Sequence, residues 1–124
     1  MHHLLNVVTH EKGTPEAVLI RSIMPKLNVD LIQKRLKLSQ KPFFIDGPGR
    51  VCKTLNITLK HNRLSLLSEK IWIEDKNIVL DSKDIQASKR IGIDYAGKDA
   101  FRLWRFTSKL SNIIFMNEST CVGR

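Results

Sequence analysis

The chain has 124 residues, 42% of them hydrophobic, and 21 Lys and Arg against 12 Asp and Glu give a formal net charge of +9. That length is one domain's worth, the composition excludes a disordered chain, and no apolar run approaches the roughly 20 residues of a membrane helix. The basic excess fits a polyanionic partner, with nucleic acid the first expectation.

Leu4 to Val8 and Ala17 to Ile23 are apolar, partly β-branched runs separated by His10 to Pro15, where Gly13 and Pro15 are turn residues. This spacing predicts a β-hairpin whose second strand ends at Pro25. Asn28 is a candidate helix cap with Asp30 in the first turn, and Val29, Ile32 and Leu36 fall on one helical face. Gln40 to Phe44 is a connector. A second helix opens at Asp46-Gly-Pro-Gly-Arg50, with Pro48 suited to the first helical position and Val51 and Leu55 forming its apolar stripe.

Asn56 to Glu69 is polar and irregular. Ile71 to Ile73 and Asn77 to Leu80 are expected as short strands around a turn at Glu74 to Lys76. Ile85 to Ile93 is expected as a longer strand interrupted by Lys89-Arg90, and Arg102 to Thr107 as a closing strand, with Ile113 to Phe115 a last edge. The fold class is α+β: a curved, mostly antiparallel sheet with short helices, in a single domain spanning residues 1–115 and followed by a polar tail at 116–124. The chain opens directly on the strand His3 to Val8. A central strand needs partners on both sides, so a further N-terminal part is expected upstream.

Cys52 and Cys121 make no disulfide framework. They read as reduced thiols in a cytoplasmic protein, Cys52 buried among Val51, Leu55 and Ile57, and Cys121 inert in the tail. The first residues also lack the layout of a signal peptide.

Gly47-Pro48-Gly49-Arg50 at a helix start has outward N–H groups, the positive end of the macrodipole and a cation, which together suit an anion. The plainer reading is a Pro-initiated helix with a solvated arginine. Arg21 interrupts the apolar run Val18 to Ile23: it is either a paired, inward site residue or an outward residue at a sheet edge. His2-His3 is not a metal site, because adjacent strand residues point to opposite faces and no further ligand stands at a suitable spacing. No nucleophile triad, phosphate loop, dinucleotide fingerprint or convincing carboxylate pair is present.

Asn6-Val-Val, Leu19-Ile-Arg-Ser-Ile-Met-Pro25, Gly47-Pro-Gly-Arg50, Arg90-Ile-Gly-Ile-Asp-Tyr-Ala-Gly97 and Leu103-Trp-Arg-Phe106, in this order, resemble the C-terminal portion of the alkylpurine, or 3-methyladenine, DNA glycosylase family. The resemblance implies base-excision repair: a damaged purine is flipped out of double-stranded DNA and its N-glycosidic bond is cut by water, with no metal or cofactor. It further implies that Arg21 orients the water, that the Ile91 carbonyl accepts a hydrogen bond from it, that Asn6 screens the flipped base, and that Gly47, Pro48, Gly49 and Arg50 hold a DNA phosphate. The family's general base lies in a Glu-Thr-Glu-Ala-Tyr-like motif that this sequence lacks, as it lacks the pocket aromatics. The chain is therefore expected to be inactive alone and to be completed either by an upstream segment, as a monomer, or by a separately encoded N-terminal half. The alternative is a non-catalytic, basic nucleic-acid-binding module. No membrane association is expected.

Overall fold

The computed structural model describes residues 2–108, which fall into two compact units meeting in sequence at Ile73 and Glu74. The first unit begins with the expected hairpin. Strand β1 (Asn6–Val8) pairs antiparallel with β2 (Ala17–Leu19), placing Asn6 opposite Leu19 and Val7 opposite Val18. Gly13, at φ 104°, supplies the left-handed backbone that the connecting loop needs.

The second apolar run does not remain one strand. After Leu19 one more bond, from the Ile20 N–H to the Leu5 carbonyl, extends the ladder before it stops. The chain then changes partner. Strand β3 (Ser22–Ile23) pairs antiparallel with β4 (Ile45–Asp46), Ser22 opposite Asp46 and Ile23 opposite Ile45. Bends of this kind let one run of chain serve two sheets, and Arg21 sits at this one.

Helices α1 (Val29–Leu36) and α2 (Pro48–Leu55) form as the periodicity predicts, and Pro48 is the first residue of α2. Both end at a left-handed residue, Lys37 and Asn56, whose N–H bonds back to carbonyls of the last turn. The expected side-chain cap at Asn28 does not form. Capping works from extended backbone, whereas Asn28 is left-handed at φ 55°, and it is its carbonyl that accepts the Ile32 N–H. Asp30 in the first turn pairs with Lys41 at 2.9 Å.

Ile45 and Val51 are fully buried and Ile32 nearly so, with Ile20, Ile23, Leu36 and Leu55 packed around them. The core of this unit thus comes from β3, β4 and one face of each helix. Arg35 closes it from the side by donating to the Thr54 carbonyl at 2.5 Å, which satisfies a carbonyl of the last turn of α2. The β1–β2 ribbon is more open than its apolar sequence predicts: Leu4, Val8 and Val18 are each half exposed or more.

The turn at Glu74 to Lys76 forms, with Lys76 on Glu74 at 2.7 Å and the Asn77 N–H donating to the Asp75 carboxylate. The strands expected on either side of it do not. Trp72 makes a single bridge to Leu67, and Asn77 is left-handed at φ 55°, which interrupts extended pairing at that point.

In the second unit, β5 (Ile85–Ser88) pairs antiparallel with β6 (Arg105–Ser108), from Ile85 opposite Ser108 to Ser88 opposite Arg105. The strand expected to reach Ile93 therefore ends at Ser88. Gly92, at φ 72°, turns the chain out of extended conformation, and Asp94–Phe101 winds as 3₁₀ turns kinked at Gly97. Ile113 to Phe115, Cys121 and the boundary at residue 115 lie outside the described residues. The class is α+β, with antiparallel pairing in each sheet and short helices. Among the described residues no helix is long and apolar enough to cross a membrane.

Candidate functional site

Arg21 is half-buried, and no carboxylate among the described residues pairs with it. Burying part of a guanidinium without a counter-charge is unfavourable, so neither a paired interior arginine nor a freely solvated edge residue describes this position. The bend between β2 and β3 accounts for it. Arg21 leaves the β1–β2 ladder just before Ser22 enters the pairing with Asp46.

The Gly47–Arg50 turn lies directly beyond that pairing. Asp46 Oδ1 accepts the Ser22 hydroxyl at 2.7 Å and the Gly47 N–H at 2.9 Å. One carboxylate oxygen thus ties the residue after Arg21 to the start of α2. Gly47 is at φ 98°, a conformation few side-chain-bearing residues adopt, and the side chain of Arg50 is exposed. The arrangement presents the N-terminal end of α2, a cation at its first turn and a carboxylate beside it. An anion seated here would meet favourable dipole and charge from α2 and Arg50, and repulsion from Asp46.

Asn6 is exposed in β1, opposite Leu19 and hence two residues short of Arg21 on the neighbouring strand. Two residues is the spacing that returns to the same face of a strand, although here the ladder stops at Leu19. Ile91 belongs to the second unit. Its side chain is exposed, and its carbonyl accepts no hydrogen bond from the described residues, so it is free to accept one from elsewhere.

His2 lies against the first turn of α2: a Cβ added to Gly49 would come within 3.1 Å of the His2 Cβ and Cγ. The histidine thus packs over a helix turn. Among the described residues no group of three or more His, Cys, Asp or Glu could hold a metal ion. Cys52 is buried, as its helical position predicts, and burial raises its thiol pKa against the opposing hydrogen bond from the Leu5 backbone.

Two features of this region were not legible beforehand. Asp46 stood out only as the residue before the turn, though an Asp ahead of Gly-Pro is a recognised local hydrogen-bonding signal. The contacts of Ser22 with Asp46 and of His2 with Gly49 carry no sequence signal, since each joins residues more than 20 positions apart.

A model of the family described as methylpurine-DNA glycosylase (MPG) matches residues 1–112. A protein of Chlamydia felis is 45% identical over 108 residues, covering 86% of this chain and 54% of its own length. One of Clostridium novyi is 40% identical over 122 residues, covering 92% and 59%, and one of Borreliella burgdorferi is 39% identical over 110 residues, covering 88% and 54%. All three are provisionally named as 3-methyladenine DNA glycosylases. The chain spans a little over half the length of these curated relatives, and no solved structure matches it. A family match over nearly the whole chain, with relatives near 40% identity, settles the assignment: the chain belongs to the methylpurine-DNA glycosylase family.

Proposed function

We propose that this chain supplies the water-positioning and phosphate-holding part of a DNA glycosylase that removes alkylated purines by hydrolysing the N-glycosidic bond. The observation that carries this reading is a half-buried Arg21 that has no carboxylate partner among the described residues, one residue before the Ser22–Asp46 link to the Gly47–Arg50 turn. An arginine in that state has N–H donors available to hold and orient a water molecule. The family resemblance also gives the Ile91 carbonyl a water-binding role, assigns Asn6 to screening the flipped base, and gives Gly47, Pro48, Gly49 and Arg50 the holding of a phosphate of double-stranded DNA.

The sequence contains no Glu-Thr-Glu-Ala-Tyr-like stretch to supply the general base. Loss of a general base costs roughly a hundredfold to ten-thousandfold in rate, so the chain by itself releases little or no base. Full activity belongs to a protein that also contains that segment.

The test uses alkylated duplex DNA. It is incubated with the chain alone, and with the chain joined to the portion of the Chlamydia felis relative outside the matched stretch. Release of 3-methyladenine by the joined protein supports the reading, and absence of release from both overturns it. Within the joined protein, Arg21→Ala slows release by about a hundredfold, the size seen for loss of a site donor, while DNA binding is retained. Arg50→Ala does the reverse and weakens binding at moderate salt.

The net charge of +9 favours one other reading, a non-catalytic module that grips nucleic acid through its basic surface. That module binds DNA with an affinity that falls steeply with salt, and releases no base in any combination.

A further inference from the structure

We propose that the Lys89, Arg90, Arg102 and Trp104 cluster of the second unit is a separate seat for the phosphate backbone of DNA. The inference rests on DNA being the partner, and assigns to that partner residues distinct from the Gly47–Arg50 turn.

The cluster forms because the β5–β6 ladder ends at the Ser88–Arg105 pair. Arg105 is held there by its bond to the Ser88 hydroxyl at 3.1 Å. Lys89 and Arg90 run on from one strand, and Arg102 to Trp104 lead into the other. The guanidinium carbons of Arg90 and Arg102 lie 5.3 Å and 4.8 Å from the centre of the same Trp104 ring, and the Lys89 ammonium lies 5.1 Å from the centre of Phe101.

Cation–π contact holds these cations in place without neutralising them. Among the described residues one carboxylate pairs with them: Asp99 accepts from Arg102 Nε at 2.7 Å in an ion pair more than half exposed on the arginine side. Such surface pairs are weak and yield readily to a stronger anion. Among the described residues Arg90 makes one marginal bond, 3.5 Å to the Asp99 carbonyl, and its buried Nε has no partner. A guanidinium lying over a ring keeps the N–H groups of its edge free, which is the geometry that takes a phosphate in two parallel hydrogen bonds.

Were the cations there only to cover the rings, the rings would be hidden. Trp104 instead remains 50% exposed and Phe101 69%. Concentrated positive charge beside exposed aromatic surface is the pairing by which proteins track a nucleic-acid backbone.

The test is the salt dependence of binding to a duplex of about 20 base pairs, read by fluorescence anisotropy with the full chain. The Lys89→Gln, Arg102→Gln pair is expected to lower the slope of log K against log salt by about 2, since each lost phosphate contact removes roughly 0.9. Arg102→Lys, which keeps the charge, is expected to hold the slope of the wild-type protein. An unchanged slope in the double variant overturns the proposal. As a measurement without substitution, saturating duplex is expected to slow acetylation of Lys89 in the wild-type protein at least fivefold, and unaltered labelling overturns the proposal equally. Absence of any salt-dependent binding by the wild-type protein instead overturns the DNA reading on which the inference rests.

Discussion

The Ser22 hydroxyl donates a 2.7 Å hydrogen bond to Asp46 Oδ1, and the same oxygen accepts the Gly47 N–H at 2.9 Å. Through these two bonds the strand that follows Arg21 and the turn that opens α2 share a single acceptor. Orientation of the one is thereby tied to orientation of the other.

Ser22→Ala removes the first of these bonds. The expected loss is about 1 kcal/mol of stability, the usual net contribution of one hydrogen bond. Chemical denaturation with an unchanged m-value checks it. A loss above about 3 kcal/mol would mean that Ser22 does more than anchor Asp46.

Asp46→Asn keeps an acceptor oxygen and removes the charge. Loss of a negative charge near a helix N-terminus lowers stability by about 0.3–1 kcal/mol. Removing its repulsion on a phosphate at the turn strengthens DNA binding by about 0.5 kcal/mol, roughly twofold, at low salt. Stability and affinity moving in opposite directions is the outcome to look for, with the affinity gain fading as salt is raised.

Gly47 and Gly49 should respond differently to alanine. Gly47, at φ 98°, imposes backbone strain on any side chain, so Gly47→Ala costs about 1–3 kcal/mol. Gly49 has helical backbone, and only His2, an exposed residue, stands within 3.1 Å of the new methyl. Alanine gains about 1 kcal/mol over glycine inside a helix. Gly49→Ala combined with His2→Gly, which removes the facing Cβ as well as the ring, is therefore stabilising, which thermal melts of the three variants will show.

Ile45 has no exposed surface and sits at the centre of the first unit's core. Ile45→Ala should cost about 2–5 kcal/mol, a large share of a normal domain's stability. Val18→Thr, on the exposed face of β2, should change stability by less than about 0.5 kcal/mol. Equal effects at both sites would mean that β2 is covered.

The Cys52 thiol gives a pH dependence with a definite sign. Burial raises its pKa in the folded protein, so the folded state favours the protonated thiol. That contribution is fully present below the thiol pKa of the unfolded chain, about 8.5, and is lost as pH rises through the higher folded value. Between pH 7 and pH 10 the wild-type protein should therefore lose more thermal stability than Cys52→Ala. Iodoacetamide should label Cys52 only when denaturant opens the fold.

Features set within a few residues of one another were legible in the sequence. The Gly13 and Pro15 loop, Pro48 at the first position of α2, and the burial of Ile32, Val51 and Cys52 at helical spacing all follow from local backbone preference and periodicity. So did the family, because its motifs are short and occur in a fixed order. The elements that failed were short extended runs. Ile71 to Ile73 and Asn77 to Leu80 have strand composition, yet a strand exists only where another strand is aligned beside it, and composition does not state which neighbour arrives.

The sequence by itself determined the class, the helix positions and the family, since each depends on chemistry that neighbouring residues carry alone. Tertiary structure decided that Arg21 occupies a bend between two sheets, that Ser22 reaches Asp46, and that Lys89, Arg90 and Arg102 gather around Trp104 and Phe101. Those contacts span separations from 2 to 24 residues, and most depend on which chain segments the ladders bring side by side. Local propensity reaches about one turn along the chain; pairing across a sheet is chosen by the free energy of the whole fold.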